Sequence, residues 1–353
     1  MAHEDPAQPV VGVHLTRTEE NVAEIDALTS LVMEHGGARV GVAGVLDDLA
    51  HRVRRTFAPT PRLLGRAVTR ALTWERTDRQ DPDWWPQGIS SSVRTGLDRD
   101  ALVVSWYSKA GAGSRVSVVD LASHGYEHVL LVRPTLVDGR AGLKPLAVHA
   151  GGIVWHGGHL HVAATGRGFF TCRFDDVLRV PDGTGLATFG HRFVLPVRFA
   201  YQAQTDEGFE RLRYSFLSLD RSTEPPALLA GEYGSARQTR RLARFPTDAG
   251  TGLLATDDDG LSRPVLDERG EVRMQGAVVA AGSYYVTASQ GSWKPGTVYA
   301  GRPGSWRRHR WVTPPGPEDL VWWPATDLLW SVTEHPRKRW IYAMRRTSLP
   351  PAE

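Results

Sequence analysis

His149-Ala150-Gly151-Gly152-Ile153-Val154-Trp155 is followed, after the turn Gly157-Gly158, by His159-Leu160-His161-Val162-Ala163. The unit reads as a polar residue, small residues, an apolar strand, a tight turn and a second apolar strand. It returns along the chain. Trp85-Pro86-Gln87-Gly88-Ile89 precedes Ala101–Tyr107, and Phe199-Ala200-Tyr201-Gln202 precedes Leu212–Phe216. Met274-Gln275-Gly276-Ala277-Val278 precedes Ser283–Thr287, and Pro317-Glu318-Asp319-Leu320-Val321 precedes Asp327–Ser331. A sheet unit of this size cannot bury both of its faces alone. Stacking its copies in a closed ring covers the faces and removes the long exposed edges. The pattern therefore predicts an all-β fold, a β-propeller of about five blades.

The flanking sequence agrees. Gly (36 residues) and Pro (23) are frequent among 353 residues, as expected for many short elements joined by turns. From about residue 76 the apolar period is two, the period of strands. Earlier it is longer. Thr16 and Glu19 have capping-box spacing, Val22, Ile25, Leu28 and Val32 recur at helical steps, and Gly36-Gly37 ends the run. A second amphipathic stretch carries Val42, Val45, Leu46, Leu49 and Val53. A third follows Pro61, with Leu63, Leu64, Ala67, Val68, Ala71 and Leu72. The expected organisation is a helical segment over 1–75 and a propeller over 76–353.

The segment Ala150–Ala163 resembles the inner hairpin of lactonase-like propellers, and residues 80–347 resemble uncharacterised propeller proteins of high-GC bacteria. That resemblance implies architecture and little about chemistry, because propellers host unrelated functions. Many of those relatives are described as secreted. This sequence starts without the basic and apolar stretches of a leader, and contains no run of about 18 apolar residues. With a single cysteine, Cys172, no intramolecular disulfide is possible, and a cytoplasmic protein with no membrane attachment is expected. A net charge of +3 and short basic clusters beside acids argue against a nucleic-acid partner.

In a propeller, the start of each innermost strand and the end of the next strand meet near one mouth of the central channel. The inner positions are Gln87, His149, Gln202, Gln275, Glu318 and Asp319. The outer ones are Tyr107 with Lys109, Thr165, Ser289, and Glu334 with His335. Trp84, Trp85 and Tyr201 stand beside the inner set. Polar groups are costly to bury unpaired, so such a ring holds water, an ion or a ligand.

Glu318 and Asp319 should face opposite sides of a strand, and alignment with Gln87 and Gln275 puts Glu318 inward. His149, with an ordinary pKa of about 6.5, is an acid–base candidate or a hydrogen-bond partner of the loop after it. Glu318, Lys109 and Glu334 are the other proton-moving candidates. Gln87, Gln202, Gln275 and Asp319 would orient polar groups, with Trp84, Trp85, Tyr107 and Tyr201 giving apolar contact.

Two functions fit. One is an enzyme performing non-redox acid–base chemistry on a small organic molecule, such as cyclisation, isomerisation, elimination or hydrolysis. The other is a carbohydrate- or protein-binding propeller without catalysis. No cofactor is expected. Lactonase-like propellers hold Ca²⁺, and Glu318 with the amides of Gln87, Gln202 and Gln275 is the one set here that could do so, though it is poor in carboxylates. His159 and His161 alternate with Leu160 and Val162 and are expected to face solvent. Cys172 is expected in the core.

Overall fold

The computed structural model describes residues 12–56 and 64–352. The chain is an all-β propeller. Its first four-stranded unit is Trp84–Ser91, Ala101–Ser108, Ser114–Asp120 and Gly125–Val137. The second is Ile153–His156, His159–Ala163, Gly168–Arg173 and Phe193–Thr205. Phe216–Asp220, Ala227–Gly231, Leu242–Pro246 and Val265–Asp267 make the third, and Met274–Ala280, Ser283–Ala288, Gly296–Arg302 and Ser305–Thr313 the fourth. The last unit is Pro317–Trp323, Leu328–Thr333, Trp340–Arg345 and, from the opposite end of the chain, Val68–Thr73. The first strands of these units neighbour one another in cyclic order around the axis.

Period-two alternation explains the stacking. Leu102 and Val104 of the first unit pack with Val321, Trp330 and Val332 of the last. Their neighbours Ala101 and Val103 pack with Ile153, Trp155 and Leu160 of the second. Three more such cores close the ring. Phe169 meets Leu217 and Leu228, Phe216 meets Met274 and Val286, and Tyr285 meets Leu320 and Leu329. Near the axis the backbones almost touch. A Cβ on Gly152 would stand 2.1 Å from the Leu217 nitrogen, and one on Gly276 2.5 Å from the Asp319 Cα. Only glycine permits that approach.

The N-terminal segment departs from the all-helical expectation. Helices Val22–Glu34 and Gly41–Leu46 are present, but Val13–Arg17 is a strand paired with Arg17↔Tyr201 register against the second unit. The third expected helix is corrected too. Leu63 lies outside the described residues, and Val68–Thr73 is a strand that completes the last unit by pairing with Trp340–Met344. Leu and Ala at three- and four-residue steps suit either element, and here the unpaired edge of Trp340–Arg345 decides in favour of the strand. Propeller structure therefore begins before residue 76. Fully buried Leu72 contributes about 1.5–3 kcal/mol to this closure.

One buried polar network fastens the short helix Arg76–Gln80 to the first unit. Trp106 Nε1 donates to Ser117 Oγ at 2.7 Å, and Ser117 Oγ lies 2.8 Å from His128 Nδ1. His128 Nε2 is 3.1 Å from Asp78 Oδ1, which also accepts from Arg115 at 2.8 Å, while the Tyr126 hydroxyl donates to Asp78 Oδ2. Ser, His and Asp in a row resemble a nucleophilic triad, but all three are sealed beneath Trp106 and Tyr126. The arrangement is structural. His161 is likewise buried, bonded to Thr171 Oγ1 at 2.9 Å, which corrects the solvent-facing expectation. Cys172 is buried, and desolvation raises its thiol pKa.

Candidate functional site

A cleft of about 300 Å³ opens at the mouth of the channel where the innermost strands begin. Its floor takes one residue from each of the five units: Gln87, Gly151, Ser215, Gln275 and Glu318. The register position after each is occupied by Gly88, Gly152, Phe216, Gly276 and Asp319, where the strands converge. Geometry thus forces alternation. One residue points up into the cleft and the next must fit between backbones. The walls are His149, Thr165, Tyr233 and Glu334.

Glu318 is 3% exposed and accepts a hydrogen bond from Gln275 Nε2 at 3.0 Å. Burial first, then the charges of Glu334 and Asp319, raise its pKa well above the ordinary carboxylate value. Glu334 follows the strand Leu328–Thr333, next to Glu318's own strand. Its Oε2 accepts from Gln87 Nε2 at 3.3 Å, and its Oε1 is 3.6 Å from His335 Nδ1. Burial raises its pKa too, while the Gln87 bond and the charges of Lys109 and Arg339 pull the other way. Neither carboxylate forms an ion pair with Lys or Arg among the described residues.

His149 stands at the rim with its ring 4.4 Å from that of Tyr107, and desolvation lowers its pKa. Tyr107 is raised by burial, then by Glu334 and Glu318, so its phenol stays protonated near neutrality. Lys109 lies over the Trp85 ring, 3.1 Å from its centroid, and reaches the cleft through its charge on Glu334. Trp85 is fixed by a 2.9 Å bond from its Nε1 to the Pro82 carbonyl and sits 5.7 Å from the His335 ring.

Several expected residues stand elsewhere. Gln202 is exposed and Tyr201 buried on the fourth strand of the second unit, between Gly168–Arg173 and Val13–Arg17, where the Tyr201 hydroxyl accepts from the Leu254 amide. The alternation of Phe199–Gln202 resembled an inner strand, but the inner strand of the third unit is Phe216–Asp220. The true counterparts are Ser215 and Tyr233, two residues the repeat alignment missed. The close Gly152–Phe216 contact is the register signal. Trp84 is buried beneath Arg115 and outside the cleft. Asp319 has no face on the cleft. Its Oδ2 accepts from the Ile89 and Ile153 amides at 3.3 Å each, tying two neighbouring inner strands to the last one, and burial raises its pKa. Ser289 also lies outside the lining.

Among the described residues, no group of three His, Cys, Asp or Glu side chains converges as a metal site. With Gln202 absent, the oxygen set considered for Ca²⁺ shrinks to Glu318, Gln87 and Gln275, whose amides already donate to the two carboxylates. No helix among the described residues is long and apolar enough to cross a membrane.

No family model and no curated protein matches the chain. It is similar to solved structures at low identity. A gluconolactonase from Xanthomonas campestris is 17% identical over 83% of this chain and 84% of that one, with a TM-score of 0.36. A GH43_1 enzyme from Xanthomonas citri is 14% identical over 76% and 87%, with a TM-score of 0.38. The WD40 β-propeller domain of Doa1 is 10% identical over 80% and 98%, with a TM-score of 0.33. At these identities and TM-scores the likeness says nothing of this chain's chemistry, and the propeller architecture stands on its own sheet topology.

Proposed function

We propose that this chain is an enzyme that performs non-redox acid–base chemistry on a small polar organic molecule bound in the cleft. One observation carries the reading: Glu318 and Glu334 share a desolvated site with no bonded cation between them. Two like charges so placed resist joint ionisation, so the pair retains a proton. Glu318, the more deeply buried, is the proton holder and general acid. Glu334, favoured as an anion by Gln87, Lys109 and Arg339, is the general base. Gln87 and Gln275 orient the two carboxyl groups, while His149, backed by the Tyr107 ring, bounds the substrate from one wall.

In a hydrolytic cycle, Glu334 would take a proton from the attacking water and Glu318 would give one to the departing oxygen. The resemblance of Ala150–Ala163 to lactonase-like hairpins makes a cyclic ester the first substrate to try. The test is incubation of the protein with aldonolactones and small glycosides, followed by mass spectrometry. Turnover by the wild type, reduced about 100-fold or more in E318Q and E334Q, supports the proposal. Unchanged recovery of a bound sugar, with equal retention by both variants, favours the binding module instead.

A further inference from the structure

The inner strands of the first three units run away from the cleft and end at Ser91, His156 and Asp220, at the other mouth of the channel. Just beyond lies a second cavity of about 220 Å³. Arg94, Arg221, His156 and Glu224 line it, with Leu219 and Pro226 as an apolar wall.

The charges here are unbalanced. Arg221 is mostly enclosed, and its guanidinium makes one hydrogen bond among the described residues, from Nη2 to the Val93 carbonyl at 2.9 Å. Neither Arg94 nor Arg221 forms an ion pair among those residues. Adjacent Asp220 is engaged elsewhere: its Oδ1 accepts from the Ser222 amide and hydroxyl, and its Oδ2 lies 3.7 Å from Arg244. Desolvation, then the Arg94 charge, pushes Arg221 down to about 10, so it remains a cation at neutral pH. His156 is lowered by burial, then by Arg221 and His159, with Glu224 opposing, and is neutral there. Two guanidinium charges against one rim carboxylate leave a single positive charge. The remaining guanidinium donors of Arg221 are not sealed in the interior and stand open to an anion entering the cavity.

We propose that this cavity is a binding site for a small monocarboxylate, with Arg221 and Arg94 holding the carboxylate and Leu219 and Pro226 covering its apolar body. The guanidinium fork matches a planar carboxylate, and the apolar wall has no use for a naked inorganic ion. A dianion would meet Glu224 with its second charge. The site is separate from the cleft and stands whether or not the cleft is catalytic.

Calorimetric titration of the full chain with sodium butyrate, at ionic strength fixed by sodium chloride, tests it. Saturable one-to-one binding is expected, weakened about tenfold or more in R94Q and in R221Q and tightened in E224Q. Arg94 is exposed, so R94Q reads the site without threatening the fold. Absence of saturable binding overturns the proposal, as does wild-type affinity in both Arg variants or tighter binding of inorganic phosphate than of butyrate. Binding that survives both Arg substitutions and disappears in E318Q places butyrate in the cleft and overturns it as well.

Discussion

Gln275 Nε2 donates to Glu318 Oε1 at 3.0 Å, one propeller unit holding the buried carboxyl of the next. Gln87 does the same for Glu334 from the other side. These amides fix both carboxyl groups without neutralising either, so the cost of their proximity falls on protonation.

That cost has a sign. Glu318's folded pKa is raised, so its contribution to stability is complete below the ordinary glutamate pKa of about 4.3 and is lost as pH rises through the folded value. E318Q removes this dependence while keeping the shape. Its melting temperature relative to wild type is expected to climb from pH 4.5 to pH 8, measured by calorimetry. A constant difference across that range contradicts the account.

The network around Asp78 behaves oppositely. Burial would raise Asp78, but the bond and charge of His128 and the charge of Arg115 outweigh it and hold the carboxyl below the ordinary range. His128 is pushed down to about 3 by burial and Arg115. Both depressed groups contribute stability that is present at neutral pH and lost on acidification, for His128 from about 6.5 downward. D78N leaves Arg115 buried without its counter-charge and is expected to cost about 3–5 kcal/mol in denaturant unfolding at pH 7. A loss under 1 kcal/mol would show that water reaches this network.

Closure of the ring by Val68–Thr73 gives Leu72 a role out of proportion to its place near the chain's start. Leu72→Ala is expected to destabilise the whole propeller by about 2–5 kcal/mol in one cooperative transition. An early separate transition, with the rest melting at the wild-type temperature, would mean that the ring holds without this strand.

Register can be tested functionally. Gln202→Ala is expected to leave any turnover unchanged, because the side chain lies on an outer strand. Ser215→Leu, which fills the floor of the cleft, is expected to abolish it while preserving the circular dichroism spectrum. Activity lost in Q202A would return the third unit to the register suggested by the repeat alone.

Much of this was legible in the sequence where spacing carries physical meaning. Polar residue followed by glycine marks Gln87-Gly88 and Gln275-Gly276, because the inner strands converge to backbone contact one residue past the cleft. Glu318 came from its alignment with Gln87 and Gln275, and Glu334 from the position at the end of the neighbouring strand. Opposite faces for Glu318 and Asp319 also followed, since a strand cannot present both on one side. The third unit was illegible because Ser215-Phe216 breaks the glycine rule. Phe216 fits there by packing against Gly231, information that lies in another strand. Val68–Thr73 was misread because its partner is more than 260 residues away, and no local pattern reports a distant open edge. His161 was misread as exposed because the third unit, not solvent, lies against the face it shares with Val154 and Ala163.

Glu318 and Glu334 are expected to share a proton. The measurement is ¹³C NMR of side-chain carboxyl groups in the wild type, E318Q and E334Q across pH 3 to 9. The account predicts that Glu318 titrates well above the ordinary glutamate value in the wild type and that its midpoint falls in E334Q. Titration of both carboxyl groups near about 4.3, unmoved by substitution of the other, would contradict it.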